Sequence, residues 1–204
     1  MPNHIYNVIR FEGQENEVKR IMSDIQLDSA GPGTIDFNKI IPMPENVYRG
    51  PLGKKEREKY PNELNWYDWS IKHWGTKFNA YDFEAGVKGD DSLVFHTAWS
   101  SVPRVLEVLS EKYPDVRMEY SWADEDFGAN TGTVTFKAGE VESLFIPADH
   151  SKEAIEFAAA LQDAKPEDFG FVFNEKENAY MFDYSVLEDN ASFQNIKPKS
   201  REER

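Results

Sequence analysis

Hydrophobic positions recur along this chain with two periods, one of two residues and one of three to four. Apolar and polar residues alternate from His4 to Glu12, which predicts a strand with one buried face. A four-residue apolar stripe then follows at i, i+3, i+4 and i+7, formed by Val18, Ile21, Met22 and Ile25. We therefore expect a strand followed by a helix that packs on it.

The same two periods return in the middle of the chain. Strands are predicted at 81–87, 92–99 and 116–122, and a helix with an apolar stripe is predicted from Pro103 to Tyr113. The resulting order is βαββαβ. It predicts an α+β protein of the ferredoxin-like class, an antiparallel sheet with two helices on one face.

Two additions to this core are expected. A long insertion at about residues 28–64 precedes strand two, because this stretch is rich in Gly, Pro and charged residues. Alternation at Val134, Phe136 and Ala138 predicts an added strand that extends the sheet by a hairpin. We accordingly expect a ferredoxin-like domain over residues 1–140.

The remaining chain is expected to form an extension. Residues 141–190 contain a helical pattern beginning at Ser151 and a later hairpin pattern, which predict a helix-plus-hairpin unit packed on the domain. The polar segment 191–204 is expected to be a disordered tail.

A tryptophan-rich stretch, residues 65–80, connects the insertion to strand two. It predicts a helix that starts at Asn62 or Asn65 and ends at Gly75. One helix face combines Leu64, Tyr67, Ile71 and Trp74, and a second combines Trp66, Trp69 and His73. Since one stripe is enough to contact a core, we expect one of these faces to meet the insertion.

Charge and composition narrow the functional classes. The net charge is −14, which opposes a general attraction to phosphate backbones and makes nucleic acid an unexpected partner. The 204 residues include no cysteine, so disulfides, thiolate metal sites and cysteine nucleophiles are excluded. The N-terminus lacks a basic segment followed by an apolar core, and no apolar run is long enough to span a membrane. We expect a cytoplasmic protein with no cofactor, no membrane association and a protein partner.

The motifs for metal and nucleophilic chemistry do not fit. The loop from Asp124 to Asn130 offers carboxylates at alternate positions, but a calcium loop starting there would need Gly at Ala129 and Glu at Thr135. The four histidines are isolated from one another in the sequence. We therefore predict no metal site and no catalytic residues.

One group of residues remains as a candidate binding site. Residues 74–79 lie where the tryptophan-rich helix is expected to lead into a strand. Residues 97–103 lie where the next strand is expected to lead into a helix. If the strands are neighbours, their polar and aromatic side chains converge beside the acidic loop. The candidate residues are Trp74, Lys77, Asn79, Thr97, Trp99, Asp124 and Asp126. The competing interpretation is that Trp74 and Trp99 fill the core and Lys77 pairs with an acid.

These same stretches resemble a known family. Segments 74–80, 95–100 and 124–128, together with 3–13, resemble the YubB-like family of phages and conjugative plasmids. The resemblance spans residues 3 to about 140. It implies a ferredoxin-like domain without an established biochemical activity. The chain departs from the family pattern at Phe78, where a tryptophan is expected, and at Ser101 and Val102, where the family has a proline-rich helix start.

Three functions follow as hypotheses. The first is an accessory protein of a mobile genetic element that binds a protein partner without catalysis. The second is a small-ligand binder or enzyme with a pocket near Lys77 and Trp99. The third is an acidic protein that imitates DNA, which predicts carboxylates in two rows at phosphate-like spacing.

Overall fold

The computed structural model describes residues 3–187, so the predicted tail at 191–204 lies outside the described residues. Within this range, the chain combines helices with antiparallel strands, as expected for an α+β protein. The elements are β1 (His4–Glu12), α1 (Glu15–Ile25), α2 (Phe37–Ile40), α3 (Lys54–Lys59), α4 (Trp66–His73), β2 (Ser92–Ala98), α5 (Pro103–Lys112), β3 (Arg117–Asp124), β4 (Gly132–Lys137), β5 (Glu140–Phe145), α6 (Lys152–Leu161), β6 (Phe171–Asn174) and β7 (Ala179–Phe182). Short 3₁₀ turns occupy Asn62–Leu64 and Pro166–Phe169.

The main sheet has the strand order β2-β1-β3-β4-β5, and every neighbouring pair is antiparallel. The strand β1 lies between β2 and β3, as in a ferredoxin-like sheet. The predicted α+β, ferredoxin-like fold class is therefore confirmed.

The alternation predicted for β1 separates the two faces of the sheet. Ile5, Ile9 and Phe11 are buried in the main core, whereas His4 and Tyr6 are only partly buried on the opposite face. The core face packs against the apolar sides of α1 and α5, where the predicted stripes supply the buried residues. The face that carries His4 and Tyr6 is called the open face below.

The prediction of a regular strand at 81–87 is wrong. Only Tyr81 forms a bridge, exchanging backbone hydrogen bonds of 3.1 and 2.7 Å with His96, and the Glu84 amide adds one bond to Val94. Asp82 has φ of +48° and Gly86 has φ of +75°. Left-handed residues cannot continue a pleated strand, so this edge of the sheet is an irregular segment.

The sheet is longer than predicted on its other side. Two strands extend it, β4 at the predicted position and β5 directly after it, with a register shift between Thr135 and Phe136. The expected domain boundary at residue 140 coincides with the start of β5, which pairs with β4.

The helix α4 begins where predicted. The Asn65 side-chain oxygen accepts hydrogen bonds from the backbone amides of Tyr67 at 3.1 Å and Asp68 at 3.0 Å. The Trp66 indole donates to the Gly50 carbonyl at 3.1 Å, so one aromatic face contacts the insertion, as expected. Trp69, on the same face, is buried.

The helix α6 covers part of the open face. Its residues Ile155, Ala158 and Ala159 form a second small core with Ala123 and Phe127. The 3₁₀ turn at Pro166–Phe169 packs against this core through Phe169, and the β6–β7 hairpin does so through Phe171. The extension is therefore built on the side of the sheet that α1 and α5 leave uncovered.

Candidate functional site

Trp74, the first of the predicted site residues, is a core side chain. It is 4% exposed, and its ring meets Phe37 and Trp69 edge to face at 5.8 and 5.4 Å between centroids. Its indole N–H donates to the Ile41 carbonyl at 3.0 Å. Trp74 therefore holds the insertion against the core and is closed to a ligand.

Thr97 and Asn79 also serve the fold. The fully buried Thr97 hydroxyl donates to the Ser100 carbonyl at 2.7 Å and accepts from Asn7 at 3.0 Å. The Asn79 amide oxygen accepts from the Phe37 backbone amide at 2.9 Å, and its nitrogen donates to Asp36 at 2.7 Å. Both side chains have their hydrogen-bonding groups occupied by their own chain.

Lys77 and Trp99 lie together at the surface. The Lys77 ammonium is 5.0 Å from the Trp99 ring centroid and 4.5 Å from that of Phe78. Within the described chain Lys77 forms no ion pair with a carboxylate, contrary to the competing interpretation of this lysine. Trp99 is 41% exposed and thus does not fill the core.

Asp124 and Asp126 occupy the end of β3 and the loop after it. The buried Asp124 carboxylate accepts from Asn3 at 3.1 Å, from the Asp126 amide at 2.9 Å and from Asn130 at 3.2 Å. The Asp126 side chain is exposed. Asn3 links this loop to Trp99, because its carbonyl accepts from the Trp99 amide at 2.8 Å.

The predicted group is thus divided. Lys77 and Trp99 meet at the surface, Asp124 and Asp126 lie across Asn3 from Trp99, and the other three are used in the core or in holding the insertion. The binding role of these residues stays a prediction.

A cleft of about 340 Å³ opens at the same end of the sheet, but on the open face. It lies between the ends of β1, β2 and β3 and the C-terminal end of α6. Its lining combines two histidines, a tyrosine and three carboxylates: His4, Tyr6, Asp82, His96, Ala123, Asp124, Glu125 and Gln162. We call it the acidic cleft.

Strand pairing brings the aromatic lining together. Tyr6 and His96 are directly opposite each other on β1 and β2, and their rings meet edge to face at 5.5 Å. His4 lies two residues away on the same face, and its Nδ1 is 2.9 Å from the Tyr81 hydroxyl. The rings therefore form one continuous wall of the cleft.

A salt bridge connects the segment after α6 to the irregular edge of the sheet beside the cleft. Lys88 follows the irregular segment at 81–87, and its side chain is 5% exposed. It pairs with Asp163, two residues beyond the end of α6. This bond connects the two segments that border the cleft.

The cleft has a negative electrostatic environment. Burial, followed by the nearby carboxylates of Glu84 and Asp163, raises the pKa of Tyr6 to about 12. Burial, then Asp82 and Glu125, also raises the pKa of Tyr81. Two phenols are thus held in their neutral form, first by burial and then by nearby carboxylates.

The Tyr6 pKa can be tested by spectroscopic titration. The absorbance of tyrosinate is expected to show a group that ionises near pH 12 in the parent protein and is missing in Tyr6→Phe. The raised pKa stabilises the fold below about pH 10, the pKa of an unfolded tyrosine, and this contribution is lost as the pH rises toward 12. A difference titration with a midpoint near 10 would contradict the environment described for the cleft.

Sequence reasoning overlooked most of this cleft. Its histidines are 92 positions apart in the numbering, at His4 and His96, and only the strand register makes them neighbours. The alternation of β1 does indicate that His4 and Tyr6 share a face, but it does not identify what lies opposite them.

Metal-ligating side chains do not cluster in the part of the chain that the structure describes. Across residues 3–187, no group of three or more His, Asp or Glu side chains is arranged to hold a metal ion. Within the same range, none of the helices combines the length and apolar character that crossing a bilayer requires.

The comparisons support the fold assignment. Residues 73–165 match the family described as a ferredoxin-like domain in Api92-like protein. The match covers less than half of the chain and includes every lining residue of the acidic cleft except His4 and Tyr6. The family description names a fold and no activity. No curated protein and no solved structure matches the chain.

Proposed function

We propose that this protein is a non-catalytic binding module that captures a basic side chain of a protein partner in the acidic cleft. The observation that carries the proposal is the combination of a ring-lined wall, formed by Tyr6 and His96, with the carboxylates of Asp82 and Glu125. An accessory role in a mobile genetic element is part of the same proposal and rests on the family resemblance.

The chemistry of the cleft suits an arginine or lysine side chain. A cation gains energy over an aromatic ring face, and a guanidinium forms paired hydrogen bonds with carboxylates. A volume of about 340 Å³ lies at the lower end of the range for small-molecule sites, so the cleft has room for a side chain and its flanking backbone.

The alternative of a pocket near Lys77 and Trp99 has less support. Thr97 is fully buried and Asn79 is bonded to the insertion, so neither is available to complete a concave site there. Lys77 and Trp99 remain at the surface, and the exposed Asp126 lies across Asn3 from Trp99.

Binding of a short polyarginine peptide tests the proposal. The double variant Asp82→Asn/Glu125→Gln is expected to bind the peptide about 5- to 10-fold more weakly, because it removes two exposed charge contacts. Asparagine suits position 82 because it tolerates the left-handed backbone, φ +48°. Fluorescence anisotropy of a labelled peptide measures the change.

A matched control separates the cleft from net charge. Glu140→Gln/Glu153→Gln removes the same charge from exposed positions that do not line the cleft. This control variant should change the peptide affinity less than 2-fold, because salt screens the interaction of the peptide with distant carboxylates. Equal weakening by both double variants would mean that the peptide responds only to the overall charge, and the proposed site would be wrong.

A further inference from the structure

Cations and aromatic rings alternate in a row across the surface formed by α3, α4 and the end of β2. The Arg57 guanidinium lies 5.0 Å from the Tyr67 ring centroid. The Lys77 ammonium lies 6.0 Å from the same Tyr67 ring centroid and 5.0 Å from that of Trp99. Phe78, 4.5 Å from the same ammonium, stacks on Trp66. We call this surface the cationic-aromatic row.

The charge of this region is opposite to that of the whole protein. Residues 49–77 contain seven Lys or Arg and four Asp or Glu, whereas the net charge of the chain is −14. Among the described residues, Lys72 is the one Lys or Arg of this segment that pairs with a carboxylate, on Glu63. The remaining cations form no ion pair within the described chain. Arg49 donates to the carbonyls of Met43 and Pro44, whereas Arg57 and Lys77 contact ring faces and are available to an anionic partner.

Two aromatic members of the row are exposed, and Tyr67 and Trp66 are partly buried. Trp99 and Phe78 are each 41% exposed. Trp99 also adopts φ of +69°, a left-handed conformation that costs free energy for a bulky residue. The fold therefore spends conformational free energy to keep the Trp99 ring at the surface. This cost points to a use of the ring outside the core.

We propose that the cationic-aromatic row binds single-stranded nucleic acid. Exposed rings stack on unpaired bases of any sequence, and adjacent cations contact the phosphates between them. Trp99 is the stacking surface, Phe78 supports it from within the row by packing on Trp66, and Lys77 and Arg57 are the phosphate contacts. This surface is distinct from the acidic cleft, so its function is independent of the one proposed above.

The overall negative charge does not oppose this assignment at close range. At physiological ionic strength, charges more than about 8 Å away are largely screened, so the strand responds to the local cations. Duplex DNA hides its base faces, whereas a single strand exposes them to rings such as Trp99. An acidic protein segment would use the cations without requiring the rings. The alternation of both groups therefore favours the single strand.

An oligothymidylate of about 12 nucleotides is a suitable probe, since it spans a typical single-strand site. Binding to the full chain is measured by anisotropy at two salt concentrations. Trp99→Gly is expected to weaken binding about 5- to 100-fold by removing a stacked ring. Lys77→Gln should reduce the slope of log affinity against log salt by about 0.7, as loss of one phosphate contact from a single strand predicts.

Two control variants match these changes elsewhere on the surface. Lys137→Gln removes an exposed lysine at the end of β4, and Tyr184→Ala removes a ring that is 75% exposed. Both should bind the oligonucleotide as the parent does. Glycine at position 99 accepts the left-handed backbone, so the Trp99→Gly midpoint of urea unfolding should stay close to that of the parent.

Three results would overturn the proposal. One is binding by Trp99→Gly and Lys77→Gln that equals binding by the parent. Another is equally strong competition by a polyglutamate peptide of the same length, which would identify an acidic protein as the partner. The third is loss of folding in Trp99→Gly, which would assign the ring to stability.

Discussion

Trp74→Ala is expected to lower the free energy of unfolding by about 3–5 kcal/mol, the usual cost of removing a large buried aromatic side chain. The 4%-exposed Trp74 ring joins the core to the insertion, where it contacts Phe37 and donates to the Ile41 carbonyl. Its removal leaves a cavity and a carbonyl without its partner. Urea unfolding monitored by circular dichroism measures the loss.

The nearby Lys77→Ala variant is the control for this result. Lys77 contacts aromatic rings at the surface and has no carboxylate partner in the described chain, so its truncation should change stability by about 0.5 kcal/mol or less. Comparable losses in the two variants would contradict the division of residues 74–79 into a core position and a surface position.

Asn7→Leu is expected to destabilise the fold by about 3–4 kcal/mol, because it removes the centre of a buried hydrogen-bond network. The Asn7 amide donates to the carbonyls of Ile5 at 2.7 Å and Phe95 at 3.2 Å and to the Thr97 hydroxyl at 3.0 Å. It accepts from the Tyr120 hydroxyl at 2.7 Å. Leucine has similar volume and satisfies none of these groups.

A double-mutant cycle with Tyr120→Phe tests whether the network acts as a unit. The Tyr120 hydroxyl also accepts from the Val102 amide at 2.7 Å, so Tyr120→Phe alone leaves both Asn7 and the start of α5 short of a bond. We expect the Asn7→Leu/Tyr120→Phe variant to lose less stability than the sum of the single variants, since both partners are removed together. Additive losses in thermal or urea unfolding would contradict the network.

Local patterns predicted the elements of the domain because each depends on neighbours in the chain. The apolar stripe of α1 and the alternation of β1 needed only their own periods, and both match the structure. The cap at Asn65 needed only a side-chain acceptor three residues before the amide it bonds. The segment at 81–87 also alternates, but the left-handed backbone at Asp82 prevents a strand, and alternation carries no information about that angle.

The candidate site was harder to predict, because a residue's position near a strand end does not determine the direction of its side chain. Thr97 and Trp99 are two residues apart, yet Thr97 is fully buried and Trp99 is 41% exposed, since the chain turns through φ +69° at the tryptophan. Net charge was also a poor guide to local surfaces. It averages the acids near Tyr6 with the cations near the rings of Trp99 and Tyr67, although each group dominates its own surface.

The sequence by itself determined the fold class, the order of the core elements apart from the strand expected at 81–87, and the position of the tryptophan helix between the insertion and the sheet. These properties follow from periodicity, caps and breakers, which act over a few residues. Only the tertiary structure decided that His96 meets Tyr6, that α6 borders them, and that Arg57, Tyr67, Lys77 and Trp99 form a row. These contacts join residues far apart in the chain, and strand register and helix packing, which create them, are set by the whole core.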